Sequence, residues 1–458
     1  MGIGLAAARR VHTTKDFAVT GRSLLLPIMT ATVFATWFGA EAVLGISATF
    51  AKEGLRDVVA DPFGSSLCLI LAGLFFAPRF YRLNLLTVGD FYRVRYNRTV
   101  EVLCALCIVA SYLGWVAAQF KVLGLVLNVV TGGAVSQSVG IVIGAVIVLT
   151  YTTFGGMFPV AILDFIQISV IMGGLLYIAS IISGLAGGVE VVISHAAQAG
   201  KLELFPTATV AAWIPFVGVW ITMMLGSIPQ QDVFQRITSA KDERTAVRGS
   251  ILGGALYFCF CFVSMFLAYA ATLVDPATFN TLLDQDSQLV LPTLILRHTP
   301  VFGQIVFFGA VLSAVMSCAS ATLLAPSVML SENVIKGMLP RLSDREFLRV
   351  MRLVVVVFAA LVLTIALSSG SSIYQLVVST YKVTLVAAFV PLCAGLFWSR
   401  ATRQGALCAL VAGLMTWMGL ELFGPSDSIW PPQLVGFLVA AGMVVGSLLP
   451  QKIGTREA

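Results

Sequence analysis

The sequence predicts an all-α integral membrane protein of about a dozen transmembrane helices. Three observations carry that prediction: a composition too poor in charge for a water-facing surface, long apolar runs repeated along the chain, and a lopsided distribution of Lys and Arg. Of 458 residues, 58% are hydrophobic and only 11% are charged, with a mean hydropathy of +0.95. A soluble domain carries about 25% charged residues. Most of this chain's exterior must therefore face lipid.

A membrane helix needs about 20 largely apolar residues. Runs of this kind lie near Leu25–Phe50, Pro62–Ala77, Val100–Val130, Gly140–Phe154, Val160–Ser183 and Ala211–Gln231. The series continues with Gly249–Leu273, Phe302–Ile335, Val350–Leu367, Tyr374–Trp398, Gly405–Phe423 and Pro432–Leu449. Met1–Ala8 reads as the stub of a further, truncated helix. It is not a signal peptide, because Arg9 and Arg10 follow the apolar piece instead of preceding it.

The basic residues supply the orientation. Of 28 Lys and Arg, 22 fall in the segments on one side of the predicted membrane and four on the other, Lys52, Arg56, Lys201 and Arg297; Lys121 and Lys382 lie within helices. By the positive-inside rule the rich side, with the C-terminus, is cytoplasmic, and the expected location is a plasma (inner) membrane. The net charge of +6 is thus a topology signal, and no nucleic-acid partner is expected. The longest loops, around Gly184–Pro206 and Asp275–Arg297, are short and external. They leave no soluble output domain for a sensor, and no obligate protein partner is evident. The eight Cys sit in apolar stretches as buried hydrophobes, and His12, His195 and His298 fall in expected loops. No nucleophile–base or paired-Asp constellation suggests an enzyme.

Backbone leaves helical geometry at membrane depth only where protein encloses it, and paired broken helices mark transporter binding sites. The first run holds Ala35-Thr36-Trp37-Phe38-Gly39-Ala40-Glu41, with Gly and Glu in mid-span. The sixth holds Gly226-Ser227-Ile228-Pro229-Gln230-Gln231-Asp232, where Pro229 removes a backbone donor. The two breaks are five helices apart in segments of opposite direction. That is the relation of an inverted repeat spanning 25–183 and 211–398, with two additional helices over 405–449.

The eighth run carries Ser313, Ser317, Ser320 and Ala321 at i, i+4, i+7 and i+8. One shared face of this kind serves either close helix packing or an oxygen cage for an alkali cation. Asp164, at the start of the fifth run, must find a partner, since a mid-span carboxylate costs about 2.5–3.5 kcal/mol. Lys382 lies deep in the tenth run and is either a water-lined structural residue or a buried charge with a gate contact. Lys121, beside Gln119, has the same ambiguity nearer a helix end.

At these residues the chain resembles the sodium:solute symporter family. The match lies in Lys15-Asp16-Phe17-Ala18-Val19-Thr20-Gly21-Arg22, in Gly155-Gly156 with Asp164 and Gln167, in Phe234-Gln235-Arg236, and in Ala314–Leu324. The resemblance implies a leucine-transporter-like inverted repeat. It also implies a sodium site built from the carbonyls of Ala35, Phe38 and Ala314 and the hydroxyl of Ser317. A fifth ligand falls on Cys318, whose thiol suits a hard cation poorly. A second sodium site maps to Asp164, Ser317 and Ser320, with its last hydroxyl replaced by Ala321. Ala35-Thr36-Trp37 is similar to the choline branch, but Gln230 and Ser65 stand where that branch has Trp and Tyr. Trp37, Glu41, Ser65, Gly226, Gln230 and Gln375 are the candidate solute-pocket residues. The expected function is sodium-coupled import of a small polar or zwitterionic organic solute by alternating access, with Na+ as coupling ion. The alternatives are proton coupling, an uncoupled facilitator, or a transporter-like sensor.

Overall fold

The computed structural model describes residues 22–155, 157–339, 341–425 and 428–446. The expected stub Met1–Ala8, most of the stretch from Lys15 to Arg22, Gly156 and the C-terminus beyond 446 lie outside the described residues.

Among the described residues, eight helices are long and apolar enough to cross a membrane. They are α3 (Leu55–Leu83), α5 (Arg98–Val130), α7 (Met157–Leu185), α11 (Glu243–Val274), α14 (Val301–Ile335), α15 (Asp344–Ser368), α16 (Ile373–Phe397) and α17 (Arg403–Phe423). Two further spans are bent pairs. One joins α1 (Leu26–Trp37) to α2 (Glu41–Glu53) at 59°, and the other joins α9 (Val210–Gly226) to α10 (Gln231–Ser239) at 44°. Shorter apolar helices α6 (Gln137–Gly155) and α18 (Pro432–Gly446) complete the set. Each of the expected apolar runs overlaps one of these elements.

The two expected external loops are partly helical. They contain α8 (Val189–Gln198), and α12 (Pro276–Asp286) with α13 (Val290–His298). His195 and His298 therefore sit on helices, and His195 Nδ1 lies 2.9 Å from the Tyr269 hydroxyl. The polarity that reads as loop reflects half-exposed helices: Val192 and Ala196 are the buried positions of α8, four apart on one face.

On the side rich in Lys and Arg, α4 (Val88–Arg95) opens with a capping box in which Thr87 and Asp90 satisfy each other's backbone N–H groups at 3.1 Å. The start of α1 and the end of α10 meet on this same side. Leu24 N–H donates to the Ser239 carbonyl at 3.1 Å, and Lys241 N–H to the Leu24 carbonyl at 3.0 Å. The two broken spans therefore run in opposite directions, as their separation in sequence requires. Around them pack α5, α11, α14 and α16.

Candidate functional site

Both breaks expose backbone that a continuous helix would tie up. After Trp37 the chain leaves helical geometry, with Phe38 at φ −82° and ψ 79°. Gly39 N–H bonds the Trp37 carbonyl at 3.0 Å. It thereby releases the Ala35 carbonyl, its partner in an uninterrupted helix. Gly39 is required by contact: a Cβ there would meet Cys318 Sγ and Gln119 Oε1, each at 2.7 Å. This close approach seats the first break against α14. At the second break, a Cβ on Gly226 would lie 2.5 Å from the Tyr381 carbonyl, so α9 packs tightly on α16.

Asp164 of α7 is fully buried and reaches both neighbours. Thr32 of α1 donates to its Oδ2 at 2.5 Å, and Ser317 of α14 donates to Oδ1. Ser320 donates to the Ser317 carbonyl at 2.9 Å. Three helices thus converge on one carboxylate, and Thr32 is a member that sequence reasoning missed. It lies three residues before Ala35, one turn away on the same helix.

The solute-pocket candidates converge around Trp37. Its indole Nε1 donates to Asp232 Oδ2 at 3.2 Å, and Tyr112 of α5 donates to Asp232 Oδ1. The Asp232 N–H in turn donates to the Tyr112 hydroxyl at 2.9 Å. The Trp37 ring stacks on Tyr381, with centroids 6.2 Å apart, and meets Trp115 and Tyr257 edge-on at 5.6 and 6.5 Å. Each of those two rings holds another acid. Trp115 Nε1 donates to Glu41 Oε1 at 3.1 Å, joined by Gln119 Nε2 on Oε2 at 2.8 Å. The Tyr257 hydroxyl donates to Asp61 Oδ1 at 2.7 Å, and Ser65 donates to the same oxygen. Gln230 Nε2 donates to Ser111 Oγ at 2.9 Å. Trp37, Glu41, Asp61, Ser65, Gln230, Asp232 and Tyr381 are each at most 2% exposed, so the cluster is sealed from both sides.

Two candidates fall elsewhere. Gln375 is exposed in the capping box that starts α16, where its side chain accepts from Ser372 N–H at 3.3 Å. It is not part of the cluster, because a residue one turn into a helix sits at the surface end of the span. Lys382 faces α17 and pairs with Glu421 at 2.7 Å, at the edge of a groove also lined by Trp430 and Pro432. Lys121 donates to the carbonyls of Ser369 and Ser371 at 3.1 and 2.7 Å.

Asp61, Tyr112, Trp115, Tyr257 and Tyr381 were not among the candidates read from the sequence. Asp61 stood just outside the expected second run, which begins at Pro62, and the backbone leaves helical geometry at Asp61 itself, with φ −144° and ψ 117°. Tyr112, Trp115 and Gln119 at i, i+3 and i+7 share a face of α5, a signal that was available. Tyr257 and Tyr381 come singly from their helices and carry no local signature.

Broken antiparallel spans around a sealed, acid-lined centre define an ion-coupled membrane transporter. The family model for the sodium:solute symporter family matches residues 17–413. The chain belongs to that family. It is a transporter and not an enzyme, and it couples solute movement to sodium by alternating access. The human high affinity choline transporter 1 is 29% identical over 413 residues, covering 86% of this chain and 69% of that protein. The human sodium/iodide cotransporter is 26% identical over 486 residues, covering 99% and 74%. Among solved structures, a Na+-coupled sialic acid symporter in a substrate-bound outward-open state is similar, with a TM-score of 0.83 at 19% identity, covering 97% of this chain and 94% of that one. Mhp1, a nucleobase-cation-symport-1 family transporter in a closed conformation, gives 0.62 at 13% identity, covering 94% of each. These likenesses show a leucine-transporter-like fold.

Proposed function

We propose that this symporter imports a small organic cation together with sodium, binding the solute around Trp37 between the two broken spans. The observation that carries the reading is the ring of aromatic side chains around Trp37 with Glu41, Asp61 and Asp232 behind it. Aromatic faces attract a cation by about 2 kcal/mol when desolvated, and buried carboxylates add charge complementarity. The sequence points toward a polar or zwitterionic solute because Gln230 and Ser65 replace two aromatics. Tyr257 and Tyr381 supply rings from other helices, and the three acids set the sign of the charge. The choline transporters among the relatives agree with this chemistry. A zwitterion is the second reading. It rests on Arg236, which is 2% exposed with Nε and Nη2 unpartnered and can receive a carboxylate.

Sodium would bind at the first break through the carbonyls of Ala35, Phe38 and Ala314 and the Ser317 hydroxyl. The released Ala35 carbonyl fits that role, while the Cys318 thiol does not suit a hard cation and contributes its backbone or nothing. A second sodium would lie at Asp164, Ser317 and Ser320, with Thr32 completing the oxygen set. Bound sodium supplies a positive charge that joins α1 to α14. Residues 25–183 and 211–398 form the two inverted repeats, and the basic side is cytoplasmic in a plasma membrane. Each charge crossing about 100 mV releases roughly 2.3 kcal/mol, enough for a solute gradient of about 50-fold. The test is uptake of labelled choline, amines, amino acids and sugars into proteoliposomes, with imposed sodium or potassium gradients. Preferential uptake of amines and choline under a sodium gradient is expected. Uptake unchanged in potassium would overturn sodium coupling at these sites, and preference for sugars or neutral solutes would overturn the cation reading.

A further inference from the structure

We propose that Arg236 is a built-in cation that pairs with Asp232 while the solute-free carrier reorients. This rests on the reading that an organic cation sits at Asp232 beside Trp37, and it adds the residue that resets the carrier afterwards. Two observations point to it: the unmet donors of Arg236, and its place on α10.

Arg236 is 2% exposed. Its Nε and Nη2 are buried without a hydrogen-bond partner, and Nη1 donates to the neighbouring Gln235 Oε1 at 3.4 Å. Among the described residues no ion pair joins it to an acid. A guanidinium keeps its charge at any accessible pH, and a buried charge left unpaired is strongly disfavoured. Arg236 therefore calls for an anion, whatever the protonation of the acids around it.

Asp232 is placed to supply one. The two residues stand at i and i+4 on α10, a helix buried along its whole length. Residues so spaced share one helix face, with Cβ atoms about 5–6 Å apart, and acid before base is the favoured order. Rotation of the two side chains is enough to bring them together. The charge of Arg236 already acts on Asp232 where it stands. In the sealed arrangement, however, Asp232 is held by other helices. Trp37 Nε1 of α1 donates to its Oδ2 at 3.2 Å, and Tyr112 of α5 donates to its Oδ1. The acid and the base of one helix face are thus neighbours without being partners.

Such a carboxylate is suited to two alternating cations. With a solute ammonium at Asp232, a closer guanidinium would compete with it. Once the solute has left, the carrier must pass back through the sealed conformation, and Arg236 then replaces the charge that departed. A carrier loaded on both faces never uses that step, because it crosses with solute in each direction.

The experiment uses the full-length protein in proteoliposomes with labelled choline and butylamine. Neither has a carboxylate, so changing Arg236 removes no contact with them. Net uptake under a sodium gradient needs the empty return, whereas exchange with equal solute and sodium on both sides does not. In Arg236→Gln, net uptake should fall about tenfold or more, while exchange stays within about twofold of the wild type. Arg236→Lys, which keeps the charge, should restore net uptake. Equal loss of both modes, or no loss in either, would overturn the proposal. A melting-temperature cycle in detergent free of sodium and solute tests the pair without any flux. Arg236→Gln should lower the melting temperature, and the double variant Asp232→Asn/Arg236→Gln should regain part of the loss. Additive losses would overturn the pair. If Arg236→Gln does not fold, the double variant, which removes both charges, should fold, and its failure to do so would also overturn it. A wild type that moves neither choline nor butylamine in either mode would overturn the organic-cation reading, and the melting cycle then decides the pair alone.

Discussion

Two groups of buried carboxylates in this molecule are compensated in opposite ways. At the basic end, Asp90, Glu101 and Glu332 are paired with fixed cations. Arg98 reaches Glu101 at 2.8 Å, Arg93 reaches Asp90 at 3.3 Å, and Lys336 reaches Glu332 at 2.6 Å. Asn333 bridges the first two acids, donating to Asp90 at 3.1 Å and Glu101 at 2.8 Å. In the centre, Glu41, Asp61, Asp164 and Asp232 are held by neutral donors and lack ion pairs among the described residues. The two groups are joined by one helix: Glu101 stands about 16 Å along α5 from Tyr112. A fixed cation makes an acid structural. We propose that the acids held only by neutral donors are kept for a cation that comes and goes.

The largest break in this comparison should come from Asp164→Asn. Sodium-driven uptake should be lost while the amount of protein inserted in the membrane stays at the wild-type level, since the amide can still bond Thr32 and Ser317. Uptake that retains wild-type sodium dependence would return Asp164 to a structural role. Next, Ser317→Ala should raise the sodium half-saturation by about tenfold, through loss of an oxygen ligand worth roughly 1.5 kcal/mol. Ser327→Ala, about three turns further along α14, should leave it unchanged. Ser327 donates to the Leu323 carbonyl at 2.7 Å and bonds no acid among the described residues. Equal half-saturation in the two variants would remove Ser317 from the site.

At the basic end the effect should be on stability. Asn333→Leu strips a shared donor from Asp90 and Glu101 and should cost about 1–3 kcal/mol, read as a lower melting temperature in detergent. The sodium half-saturation of the surviving protein should not move. The smallest effect belongs to Lys382→Met. The Lys382–Glu421 pair is partly exposed, at 23% and 39%, and such pairs contribute about 0–1 kcal/mol. Transport kinetics should match the wild type, and a large loss of rate would restore a gate role to Lys382.

Much of this architecture was legible in the sequence, and the parts that were not share a cause. Gly39 and Pro229 announced the two breaks, because a helix interruption is a local property of backbone chemistry. Asp164, Ser317 and Ser320 were legible for a similar reason: a carboxylate or a hydroxyl-rich face within an apolar run is an outlier in its own segment. The convergence of Thr32 on Asp164 spans 132 positions, and that of Tyr257 on Asp61 spans 196. A single Thr or Tyr in a membrane helix is ordinary, so nothing in its own segment distinguishes a donor to a buried acid from a packing residue. Gln375 misled for the converse reason. Its residue type suits a pocket, but its place one turn after Ser372 makes it a cap.

The central claim is that the neutral-donor acids are kept for mobile cations and the paired acids are not. Its most direct test is equilibrium binding of labelled sodium to the purified protein, compared among wild type, Asp164→Asn and Asn333→Leu at matched amounts of folded protein. The account predicts that Asp164→Asn loses sodium binding while Asn333→Leu binds as the wild type does. Equal sodium affinity in wild type and Asp164→Asn, or a loss of affinity in Asn333→Leu as large as that in Asp164→Asn, would contradict it.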